Sequence, residues 1–260
     1  MKQNSKNGVN VLNLMPEMFS PKFKFLISTR AGGVSKPPYD SLNLSFNVGD
    51  KKEDVVFNRE KFFDLNGFRE NNIAKPEQTH GEKIAEVKTG VNLCFPATDA
   101  LITREKGVVL SVMTADCLPI MVFDVFNQII VLIHSGWRGT LLFLAYKTVK
   151  KMKTDFNTKA RDCYAVLGPA ICSNCYSINN DLADKTTKAF NGREIGLKRK
   201  NGKIYFDLVE TNTILLRNAG LKSENIYPSN FCTSCQPALF FSHRRDYGET
   251  GRMMSLAWME

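Results

Sequence analysis

Hydrophobic and polar positions along the chain fall into two rhythms. Short apolar runs bounded by turn residues occur at residues 24–29, 83–87, 107–113, 120–124, 128–133, 164–168 and 253–259, and each reads as a strand. The run 129–133 has no polar residue at all. Between these runs, apolar residues recur at helical spacing. Asp50 with Glu53 opens a capping box for a helix running toward Leu65 and closed by Gly67. Residues 141–153 and 181–190 read as two more helices, and Asp207 with Glu210 caps another that stops at Gly220. Val125-Phe126-Asn127 reads as a hairpin turn, residues 240–244 as a short strand, and 193–203 as a solvated turn. The first 20 residues are expected to be loosely structured. The alternation predicts a mixed α/β class, with one domain over residues 1–260.

Composition narrows this picture. No run approaches the ~20 apolar residues of a membrane span, and no segment has the form of a secretory leader, so the expected location is cytoplasmic, with no membrane partner. Seven cysteines, an odd number, fit thiols or metal ligands better than a disulfide framework. The net charge of +9 is spread over residues 147–161 and 193–203, which lack interleaved aromatics. That pattern argues against nucleic acid and fits an anionic small substrate as well.

Candidate chemistry centres on the histidines, of which there are only three. His80 lies in "QTHG" before a strand, Cys117 in "TADCLPI" after one, and His134 in "IHSGWRG" at the end of another. Singly, each has an ordinary role as a packed thiol or a hydrogen-bonding imidazole. Together, two imidazoles and one thiolate hold zinc and leave a fourth position open, as catalytic sites require. Arg138 and Arg30 each offer a planar fork of donors for phosphate or carboxylate, and each has a salt bridge as its structural alternative. Trp137 is expected to pack as core or pocket wall, and His243 to lie at a pocket or the surface. The pairs Cys172/Cys175 and Cys232/Cys235 have the spacing of a four-cysteine zinc site, but the long segment between them, holding a strand and two helices, argues against one.

The segments "STRAGGVS", "SLNLSFNVGD", "QTHG", "ATDALIT", "TADCLPI", "HSGWRGT", "LGPAI" and "FFSHRRD…TGRMMSLAW" occur in that order. Together they resemble the YfiH, or laccase-domain, family, which also includes the mammalian protein FAMIN. The resemblance implies mixed sheets in a layered α-β-β-α sandwich, and a metal, Zn²⁺ or Cu²⁺, held by His80, Cys117 and His134. It implies purine nucleoside phosphorolysis of adenosine, inosine or methylthioadenosine, with adenosine deamination as a side activity; in such a reaction Arg138 and Arg30 are the candidate phosphate holders. Its alternative is a Cys-His hydrolase that edits peptidoglycan precursors, with Cys117 as nucleophile. A copper polyphenol oxidase is the lesser alternative, since the centres of a multi-copper laccase need far more imidazoles than this chain possesses.

Overall fold

The computed structural model describes every residue except Met1, Asn7, Ser20, Val91 and Asn92. The N-terminal half runs through β1 (Lys2–Lys6), β2 (Val9–Asn13), β3 (Phe23–Ser28), α1 (Lys52–Leu65), β4 (Ile73–Pro76), β5 (Ile84–Glu86), β6 (Cys94–Phe95), β7 (Ala100–Thr103), β8 (Val109–Thr114) and β9 (Leu118–Asp124). It is followed by β10 (Ile129–Ser135), α2 (Trp137–Leu141), α3 (Leu144–Phe156), β11 (Cys163–Leu167), β12 (Ser177–Ile178), α4 (Asn180–Ala189), β13 (Leu197–Lys200), β14 (Lys203–Phe206), α5 (Leu208–Asn218), β15 (Ile226–Pro228) and β16 (Met253–Met259).

Two mixed sheets stack face to face. One has seven strands in the order β1-β2-β3-β16-β8-β4-β6, and the other six in the order β15-β11-β9-β10-β7-β5. Alternation along β10 explains its unbroken apolar run. Ile130 and Leu132 enter the core between the sheets with Phe25, Ile27, Leu110 and Val112. Ile129, Val131 and Ile133 point the other way, into a second core with Val149 and Met152 of α3 and Leu216 of α5. On the far side of the larger sheet, Phe62 and Phe63 of α1 pack on Ile73, Val109 and Leu256. The layers are therefore α-β-β-α, as expected, with three apolar interfaces.

The two sheets are sewn together by the chain itself. Strands β4, β6 and β8 run parallel in the larger sheet, and each exits at the same end to enter the smaller one as β5, β7 and β9. His80 lies on the first crossing, Asp99 on the second and Cys117 on the third. His134 ends β10 at that same end, paired opposite Pro119.

Some local readings change. Residues 9–15 are not loose: Val9, Val11, Leu12, Leu14 and Met15 are buried, because β2 adds to the edge of β3 and covers both neighbouring cores. Asp50 does not form the capping box of α1; its carboxylate accepts instead from Ser35 Oγ, Asn43 Nδ2 and Lys51 N. Residues 193–203 hold strand β13, which hairpins with β14. Residues 240–244 form no strand, since the Arg244 N–H donates to the Asp116 carboxylate at 2.7 Å rather than to a ladder.

Candidate metal centre and its cavity

Where the crossings meet, His80, Cys117 and His134 place one ligand atom each within 4.8 Å of one another. The two imidazoles lie edge to face, with ring centroids 4.8 Å apart. Asp99, which the sequence reading missed although it sits in "ATDALIT", organises this group. Its buried carboxylate accepts from the Thr79, His80 and Gly81 backbone N–H groups at 3.1, 3.0 and 2.7 Å, and from His134 Nδ1 at 2.8 Å. One carboxylate thus fixes the His80 turn and the His134 ring together, and leaves Nε2 as the ligand atom of His134. Such outer partners are set by tertiary contact, and no local spacing in the sequence announces them.

The electrostatics follow from this packing. Burial opposes ionisation of Asp99, but hydrogen bonds from His134 and the Gly81 N–H hold its carboxyl at about 2. Burial likewise acts to raise the Cys117 thiol, yet the His134 charge and hydrogen bonds from both histidines bring it down to about 6. Burial would lower His134, and the Cys117 charge with the Asp99 hydrogen bond lifts it to about 9. The metal-free triad is thus a thiolate-imidazolium pair backed by a carboxylate. A deprotonated sulfur, an oriented imidazole and a second imidazole are the donor set that Zn²⁺ takes, so the residues fit the ion.

The glycine before Trp137 has a steric reason. A Cβ at Gly136 would lie 2.7 Å from Cys117 Sγ and 3.1 Å from His80 Cδ2, so only glycine lets the backbone pass behind the ligands. Gly139 is less constrained, with nothing nearer than 3.6 Å. The turn is locked from behind by Asn212, whose amide donates to Thr140 Oγ1 at 2.9 Å while its carbonyl accepts from Ser135 Oγ at 2.9 Å.

A cavity of about 550 Å³ opens over the triad, within the usual range for small-molecule sites. Trp137 and Tyr176 contribute aromatic wall, and Arg138, Arg244, Arg252 and His243 surround it with donors. Arg138 is exposed on α2 with its guanidinium 4.4 Å over the Trp137 ring, and among the described residues that guanidinium makes no hydrogen bond or ion pair. Arg244 is held to Ser177 O and lies over the Tyr176 ring. Arg252 donates to Thr250 O and Gly251 O.

Arg30 is not part of this group. Its guanidinium is committed to Asp40, with Nε on the carbonyl at 2.8 Å and Nη2 on the carboxylate at 3.1 Å, and it does not line the cavity. The expectation that placed it beside phosphate gives way to its structural alternative. The expectation against a cysteine quartet also changes: Cys172, Cys175, Cys232 and Cys235 bring their sulfurs within 4.8 Å of one another. Parallel pairing of β11 with β15 carries the loops after both strands to one place, a proximity that sequence distance conceals.

Comparison with known proteins adds four findings. The family described as multi-copper polyphenol oxidoreductase laccase matches residues 24–260. The chain is 34% identical over 242 residues to a Bacillus subtilis protein named purine nucleoside phosphorylase YlmD, covering 90% of this chain and 87% of that one. It superposes on the crystal structure of YlmD from Geobacillus stearothermophilus with a TM-score of 0.91 and 33% identity, over 99% of this chain and 98% of that one. The crystal structure of the Bacillus licheniformis hypothetical protein YfiH gives a TM-score of 0.91 and 32% identity, over 99% of both chains.

Proposed function

Because the chain belongs to the multi-copper polyphenol oxidoreductase laccase family, and its relatives are named purine nucleoside phosphorylases, we propose that the cavity binds a purine nucleoside with inorganic phosphate and exchanges the base for phosphate. The observation that carries this reading is the meeting, in one cavity, of the His80-Cys117-His134 donor set with the Arg138 guanidinium, which among the described residues has no hydrogen-bond or ion-pair partner. Adenosine, inosine and methylthioadenosine are the substrates in view, with free base and ribose 1-phosphate as products.

In phosphorolysis a phosphate oxygen bonds to the anomeric carbon as the bond to the purine nitrogen breaks, and the electron pair leaves with the base. The protein must hold an anion against a sugar that becomes cationic, and must stabilise charge on the departing purine. Arg138 is the phosphate holder: its fork of donors is exposed to the cavity and carried on the turn that delivers His134. Arg244 and Arg252 add positive field, though their side chains also donate to backbone carbonyls of the cavity wall. Tyr176, whose phenol is pushed above its ordinary value by burial and then by the Cys117 charge, stays protonated and can donate to a substrate oxygen or nitrogen. His80, Cys117 and His134 would hold Zn²⁺, with Cu²⁺ as the alternative ion. When bound, it supplies Lewis-acid polarisation of the group beside it. Deamination of adenosine in the same cavity adds water at the purine carbon that carries the amine, releases ammonia and leaves a carbonyl, and has no need of Arg138.

One observation favours a second reading. Asp99, His134 and Cys117 also form an acid-base-nucleophile chain, the arrangement a cysteine hydrolase uses to cleave an amide, including one in a cell-wall precursor. A chromatographic product assay separates the two. Phosphorolysis requires base release that rises with phosphate and falls when metal is chelated. Amide cleavage indifferent to both would overturn the nucleoside assignment.

A further inference from the structure

The cysteine quartet lies outside the chemistry described so far. We propose that Cys172, Cys175, Cys232 and Cys235 form a second metal centre, a closed four-thiolate Zn²⁺ site that clamps the loops behind the Cys117 turn.

The spacing of the sulfurs fits a tetrahedral site. Zn–S bonds of ~2.3 Å set the sulfurs of a tetrahedron about 3.8 Å apart. Here Cys175 Sγ lies 3.3 Å and Cys172 Sγ 4.0 Å from Cys235 Sγ, and all four sulfurs fall within 4.8 Å. Disulfides would take the thiols two at a time, whereas Cys235 Sγ is flanked by two sulfurs at once. Cys232 Sγ accepts two backbone N–H groups, from Cys172 at 3.3 Å and Cys235 at 3.4 Å. The second of these folds the C-x-x-C turn back on its own first cysteine. Backbone donors aimed at a sulfur favour its thiolate and fix its direction, as outer partners of metal ligands do. Four protein ligands leave no open position, so the site is structural rather than catalytic.

Its place in the fold gives it work to do. Cys172 and Cys175 follow β11, and Cys232 and Cys235 follow β15. The Ile171 N–H donates to Asp116 O at 3.0 Å, and Thr233 Oγ1 donates to Asp116 Oδ1 at 2.6 Å. Asp116 adopts a left-handed φ of 89°, a conformation that needs outside support in a residue other than glycine. Both loops of the clamp thus hold the residue next to Cys117, and Tyr176 of the cavity wall follows Cys175 directly.

The test is zinc content by atomic spectrometry in protein purified without chelator. Wild type should carry about two ions per chain, and about one should be lost in Cys117→Ser and a different one in the Cys175→Ser/Cys235→Ser double variant. Loaded with Co²⁺ in the Cys117→Ser background, the protein should retain thiolate-to-cobalt charge-transfer absorption, which the double substitution should abolish. Unchanged zinc in the double variant, or iron in place of zinc, overturns the proposal while leaving the Cys117 centre standing. Should the double variant not fold, the wild type suffices. Cys235 is exposed, yet iodoacetamide should label it only after a chelator is added. Ready labelling without chelator, or protection lifted by reductant alone, overturns the proposal equally.

Discussion

Replacing Gly136 with alanine puts one methyl group into the space between two of the proposed metal ligands. The new Cβ would sit 2.7 Å from Cys117 Sγ and 3.1 Å from His80 Cδ2. Ordinary heavy-atom contacts lie near 3.5–4.0 Å, so the sulfur must retreat by about 1 Å. A Zn–S bond tolerates only ~0.2 Å of that. The backbone makes no contribution, because Gly136 is extended at φ −79° and ψ −175°, a conformation alanine adopts freely. The cost is therefore steric. Overpacking of this kind typically runs to about 1–3 kcal/mol, which corresponds to a roughly five- to 150-fold weaker zinc Kd. Competition against a chromogenic chelator measures it, and melting of the metal-free protein shows whether the fold is spared. Gly139→Ala is the control: its nearest contacts, at 3.6 Å, predict wild-type affinity. If Gly136→Ala holds zinc as tightly as wild type, or Gly139→Ala loses as much, the close approach at Gly136 has nothing to do with the metal.

Three other outcomes are expected. Arg138→Met should raise the phosphate KM by roughly ten- to more than hundredfold, the loss of a charge-assisted fork worth about 1.5–3 kcal/mol, while adenosine deamination falls much less; equal effects on both rates would remove Arg138 from phosphate binding. Asp99→Asn should weaken zinc binding by about ten- to hundredfold, because the amide replaces one accepting oxygen with an NH2 donor that would face either the Thr79 and Gly81 N–H groups or His80 N–H and His134 Nδ1, and a chelator titration unchanged from wild type would contradict that. In metal-free protein, Cys117 alkylation should rise through pH about 6 rather than near an ordinary thiol value, because the folded thiol is depressed and gains its charge as pH climbs through that point. His134 keeps its proton up to about 9, so the ion pair and its stabilisation span the interval between the two values and fade on either side; a labelling midpoint near 9 by mass spectrometry would refute the pairing. Cys163, whose buried thiol is pushed up to about 12, should stay unlabelled throughout.

What the sequence disclosed follows from how local each cause is. The unbroken run through Ile129 to Ile133 announced a strand, and Asp207 announced a helix start that the Glu210 N–H confirms at 2.9 Å. The β13–β14 hairpin was hidden because β13 is mostly exposed and carries lysine and arginine where a buried strand would show apolar alternation. Arg30 and Arg138 looked alike, each near a strand end with glycine one or two residues on. Only tertiary packing distinguishes them, by giving the first an aspartate and the second none. Asp99 shows the same limit from the other side: a short acidic residue before a strand, in a role defined by groups up to 35 residues away.

The three crossings between the sheets have a mechanical consequence. His80, Asp99 and Cys117 each sit on a strand connection that leaves one sheet for the other, so the donor atoms meet only while the two sheets keep their alignment. A shear of one sheet against its neighbour by a fraction of a bond length would pull the donors apart before any ladder of either sheet gave way. Were the proposed ion held there, it would tie the seam between the two sheets, and a loosening of that seam would be felt as a change at the ion.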